Sequence, residues 1–192
     1  MAAALRLDFD CLRRVMVAFP LRRRVRTLRG GEGGGEPVAT IMDVAAYILG
    51  KRGPMTAMKL QKLCYFAYAY HLAWEDRRLF PQRFEAWANG PVSPALYACH
   101  RGRFQLAEGD IDGNPTALNA TERESVDLVL EGLGELTAHQ LSAQTHAEGP
   151  WVSARERARV APMQRSTEEL TDVEIMEFFQ AVTAADANGQ ER

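Results

Sequence analysis

One stretch, Thr56 to Trp74, limits what this chain can fold into. Thr56 is a plausible N-cap, because its hydroxyl can accept an amide hydrogen of the first helical turn. No Gly or Pro interrupts the residues that follow. Leu60, Leu63, Cys64, Ala67, His71 and Trp74 recur at helical spacing as one stripe, and Phe66, Tyr70 and Ala73 form a second stripe beside it. Charge appears only at Lys59 and Lys62 until Glu75-Asp76 closes the segment. A helix apolar around most of its circumference must be covered on several sides. At about 28 Å it is too short, and with three tyrosines too polar, to be a good membrane span. The spacing therefore predicts an all-α fold: a compact multi-helix bundle around a central buried helix at about 57–74.

A length of 192 residues, with 46% hydrophobic and 25% charged residues, suits one domain with an ordinary core. Cys11, Cys64 and Cys99 are odd in number and lack paired spacing, which points to thiols in a reducing cytoplasm. The net charge of −2 conceals an asymmetry. Residues 1–29 hold eight arginines against Asp8 and Asp10, a balance of +6, which leaves −8 for the rest. An acidic remainder argues against non-specific nucleic-acid binding by that part, and is compatible with a basic protein partner.

Residues 1–37 read as a basic, Gly-rich extension outside the domain. Pro20 and Arg22-Arg23-Arg24 break a weak helical pattern, and Gly30 to Gly35 has linker composition. The apolar run Val15–Leu21 is short and badly flanked for a signal peptide or anchor. Three readings stay open: an arm gripping phosphate or a partner, a disordered tail, or a misassigned start with translation beginning at Val38 or Met42. The domain is expected over 38–184, with a frayed tail at 185–192.

Within the domain, a first helix is expected at 39–49, stopped by Gly50. Phe84 to Val92 alternates like a strand and contains Asn89-Gly90, so a short extended segment or minimal hairpin is expected near 84–92. Ser93-Pro94 should open a helix, with Ser93 as N-cap. Residues 103–120 read as a polar loop, in which Asp110 to Asn114 has only a faint likeness to a calcium loop. Capping boxes are expected at Thr121–Glu124, Thr137–Gln140 and Thr171–Glu174, and Pro150 should open a further helix.

Catalytic signatures are thin. His146 precedes Glu148 by two residues, but the Pro-Cys-x-x-Cys partner of a zinc deaminase is missing. No Gly-rich phosphate loop, His-Glu-x-x-His or Gly-x-Ser-x-Gly occurs. The remaining enzymatic alternative is a Cys64 or Cys99 nucleophile with His146 as base, and a buried Cys64 would be inert. No catalytic, cofactor-binding or metal-binding residue is therefore assigned. Lys59 and Lys62 are either a recognition patch shared with Gln61 or two long stems covering apolar surface. Trp87 and Trp151 are expected to be packing residues.

Four segments in order, Thr56–Phe66, Phe84–Val92, Leu96-Tyr97 and Thr145–Trp151, resemble the SocA-like or Panacea-domain family of bacterial and phage antitoxins. The likeness spans about residues 40 to 160. It implies a mostly helical, cytoplasmic, prophage-associated protein that neutralises a toxin encoded beside it by direct binding, in some members as an adaptor to an ATP-dependent protease. Lys59, Gln61, Lys62, Asn89, Gly90 and His146 are the matched polar or turn positions, and so the candidates for a partner-binding surface. Leu60, Leu63, Phe66, Trp87, Pro91, Tyr97, Pro150 and Trp151 are the expected core. The alternatives are a DNA-binding autoregulator that contacts DNA through residues 1–29, and an enzyme of unknown class.

Overall fold

A computed structural model describes residues 39–189 except Glu148 and Pro162. The basic extension, its alternative start sites, Cys11 and the last three residues of the expected tail lie outside the described residues.

Helix α1 (Ile41–Arg52) starts at Thr40, whose hydroxyl accepts the Asp43 amide while the Asp43 carboxylate accepts the Thr40 amide at 2.7 Å. The helix does not stop at Gly50, as the sequence suggested. It continues to Arg52 and ends at Gly53, at φ 71°, whose amide returns to the Leu49 carbonyl. A mid-helix Gly costs only about 1 kcal/mol. Two cations in the last turn favour the extra residues, and they pair with Asp127 and Glu135.

Strand β1 (Met55–Thr56) leads into α2 (Ala57–Glu75), the central helix. Thr56 caps it by accepting the Lys59 amide at 3.2 Å. Every residue from Leu60 to Ala73 is buried. α1, α4 (Ala120–Leu133), α5 (Ala138–Ala147) and α7 (Asp172–Gly189) all pack against α2, which accounts for its apolar circumference. On the α7 side the core is aromatic. Phe179 meets Tyr70 edge-on at 4.9 Å, and Phe84 meets Tyr65 at 5.3 Å. Cys64 is fully buried here, and burial pushes its thiol far up, out of any reactive range.

Two of the three expected capping boxes stand where the sequence placed them, at Thr137–Gln140 and Thr171–Glu174. The box of α4 is shifted two residues back, to Asn119 and Glu122. Ala120 makes a good first helical residue, and the Glu122 carboxylate also faces Arg77 at 3.6 Å. The expected polar loop at 103–120 contains strand β4 (Gln105–Leu106), paired antiparallel with β1, and a single 3₁₀ turn at Pro115–Ala117. Asp110 serves that loop, accepting the Ala107 amide and pairing with Arg103.

Candidate partner-binding groove

The minimal hairpin is present. Strands β2 (Glu85–Trp87) and β3 (Gly90–Val92) pair antiparallel, with Trp87 opposite Gly90. The turn itself is Ala88-Asn89, and Gly90 follows it at φ 96°. A side chain at Gly90 would lie 2.5 Å from Thr145 Oγ1 and 2.8 Å from Lys62 Nζ, so both backbone conformation and space demand glycine. The outer edge of β2 is also paired. Ala86 donates to the Glu168 carbonyl at 2.8 Å, and Leu170 donates to the Phe84 carbonyl at 3.0 Å.

The hairpin sits over the N-terminal half of α2 on a polar floor. Lys62, 1% exposed, donates to the Pro91 carbonyl at 2.9 Å. The Gln61 amide brackets Ser93, accepting its N–H at 3.0 Å and donating to its carbonyl at 3.4 Å, and meets His100 Nε2 at 3.0 Å. Ser93 occupies the N-cap position of α3 (Pro94–His100) as expected, but its hydroxyl makes no capping bond. Gln61 satisfies that backbone instead. Burial lowers the His100 pKa, so its ring is neutral at pH 7.

Beside the hairpin, this floor opens into a groove of about 510 Å³. Trp87 and Tyr97 form one wall, with ring centres 4.9 Å apart. Met58 and Val92 add apolar surface, and Met163, 77% exposed, edges the opening. Arg103 and Arg165 also line it, and Arg165 lies over the Trp87 ring at 5.6 Å. No carboxylate is among the lining residues.

Residues 60–152 match the family described as Antitoxin SocA-like, Panacea domain. That segment, 93 of the chain's 192 residues, is similar to the Panacea domain of SocA-like antitoxins. It is similar to Antitoxin SocA of Caulobacter vibrioides (strain NA1000 / CB15N), with 34% identity over 110 residues. That match covers 51% of this chain and 58% of the relative's own length. No solved structure matches the chain significantly.

The fold gathers five of the six candidate residues around the hairpin. Gln61 and Lys62 lie beneath it rather than on an exposed face. Asn89 is exposed at the turn, and its carbonyl accepts from Ser142 Oγ at 2.9 Å. Gly90 is buried against Lys62, and His146 stacks on Trp151 at 4.3 Å. Burial, followed by the nearby Lys62, Arg155 and His139 charges, lowers the His146 pKa. Lys59 points elsewhere, donating to the Gly134 carbonyl at 2.7 Å just past α4. Among the expected core residues, Leu60, Leu63 and Phe66 are fully buried, and Pro91, Pro150 and Trp151 are also buried. Trp87 and Tyr97 are not core. They are half-buried groove walls, because the hairpin holds Trp87 at the edge of the bundle.

Sequence reasoning missed Arg155. On α6 (Gly149–Ala158), and 5% exposed, its guanidinium donates to the Ala86 carbonyl at 2.9 Å and to the Ala161 and Gln164 carbonyls. It thereby ties β2 to the loop that carries Met163 and Arg165. Its neighbour Trp151 donates to the Trp87 carbonyl at 2.9 Å. The spacing Trp151-x-x-x-Arg155 places both on one helix face, the one available signal.

Proposed function

We propose that this chain is the neutralising half of a toxin–antitoxin pair, and that it acts in the cytoplasm by directly binding a toxin encoded beside it. The carrying observation is the match of residues 60–152 to the antitoxin domain, together with the 34% identity to Antitoxin SocA. The geometry supports binding rather than catalysis as the working principle. The polar residues under the hairpin are engaged in holding backbone, Cys64 is enclosed, and the accessible feature is an apolar groove with arginines at its rim. Among the described residues, no helix is long and apolar enough to cross a membrane.

The test is co-expression. The neighbouring gene expressed alone should arrest growth, and expression with this chain should restore it, with the two proteins co-purifying. Arrest that persists with the antitoxin candidate abundantly expressed refutes the reading. Restoration that disappears in a host lacking its ATP-dependent proteases would make the chain a proteolytic adaptor rather than a stoichiometric inhibitor.

A further inference from the structure

We infer that the groove between the hairpin and Arg165 receives an acidic segment of the toxin, in which a carboxylate lies close to a large apolar side chain. The inference rests on the antitoxin reading above and adds where the partner docks and with what chemistry. Charge is the first argument. The chain beyond residue 29 is acidic, at −8, yet the groove lining contains no carboxylate. Arg165 is exposed and has no ion-pair partner among the described residues, its guanidinium lying over the Trp87 face instead. A guanidinium held on an aromatic plane keeps its N–H edge available for bidentate capture of a carboxylate.

Shape is the second argument. Trp87, Tyr97, Met58 and Met163 form an apolar trough, and thioether side chains adapt to a partner's contours. An aromatic wall with arginine at the rim is the composition of an interface anchor site. The chain's own residues 1–29, at +6, carry the wrong sign to fill it. A nucleic-acid backbone fits poorly, since such interfaces neutralise several phosphates along an extended basic face. Met163 and Arg165 lie outside the segment that matches the family.

The probe is the purified product of the neighbouring toxin gene, titrated against the full chain by calorimetry. R165E should weaken binding by about tenfold or more, R165K should fall between R165E and the unmodified chain because it keeps the charge but loses the bidentate fork, and R103E should cost less than R165E, because Arg103 already pairs with Asp110. K51E, the same charge change outside the groove, should stay within about twofold. Circular dichroism should show all four variants folded, since each position is exposed. In the complex, amides at 97–104 and 163–165 should gain protection from hydrogen exchange. R165E binding like the unmodified chain would overturn the groove and leave the antitoxin reading standing. Displacement of the toxin by single-stranded oligonucleotide or by ATP would assign the groove to another ligand. A toxin that the unmodified chain does not bind would remove both, and the co-expression assay reports that separately.

Discussion

At the scale of single residues, the interior of α2 makes one sharp demand on pH. His71 is fully buried, and its Nδ1 lies 2.9 Å from Ser125 Oγ. Ser125 spends its hydroxyl hydrogen on the Thr121 carbonyl at 3.1 Å, so the imidazole donates from Nδ1 and Nε2 carries no proton. Burial, followed by the Arg77 charge, lowers the His71 pKa to about 3. The unfolded ring titrates near its ordinary value of about 6.5. Between those values the unfolded chain binds the extra proton, so stability rises with pH through this window. The contribution is complete above about pH 6.5 and falls progressively as pH drops toward 3, by roughly 5 kcal/mol in all. Urea titrations at pH 7 and pH 5 should show the natural chain losing about 2 kcal/mol, and His71→Leu losing clearly less. Parallel losses in the two proteins would mean that His71 is not the group responsible.

At the scale of elements, the hairpin shows what the sequence made legible and what it hid. The central helix, its Thr56 cap and two later capping boxes were readable because each depends on residues three or four apart. The strand alternation at 84–92 was readable because it too is local, with a period of two residues. The burial of Gln61 and Lys62 was not, because their partners Ser93 and Pro91 lie 32 and 29 residues away. Nor was the conversion of Trp87 and Tyr97 from core to groove wall. Residues 163–170 carry no periodicity, yet Glu168 and Leu170 pair with the outer edge of β2, and Met163 and Arg165 supply the second rim of the groove. Arg155 makes that arrangement hold, through three carbonyls on two segments. Lysine in its place is a single point donor and cannot span them. Arg155→Lys should therefore cost about 2–4 kcal/mol of unfolding free energy. It should also speed hydrogen exchange at the amides of Ala161 and residues 163–165. Unchanged exchange there would mean that the loop is held by other contacts.

At the scale of the molecule, one helix serves two environments. The C-terminal half of α2 supplies the aromatic cluster with Phe84 and Phe179, and its N-terminal half carries the groove floor. The hairpin is bound at once to α2 through Lys62, to α5 through Ser142, to α6 through Trp151 and Arg155, and to the segment before α7. A groove secured on so many sides cannot open without breaking several hydrogen bonds at once, each worth about 0.5–1.5 kcal/mol net. Core and groove should therefore unfold as one cooperative unit. The tryptophans make this measurable. Trp74 lies against Tyr70 near the end of α2, whereas Trp87 and Trp151 stand at the hairpin. In a Trp74→Phe variant, fluorescence reports the hairpin alone while far-UV circular dichroism reports the helices. The two urea transitions should superimpose. A fluorescence transition at lower urea would identify the hairpin as a separately opening unit, and binding of the proposed partner would then carry the added cost of ordering the groove.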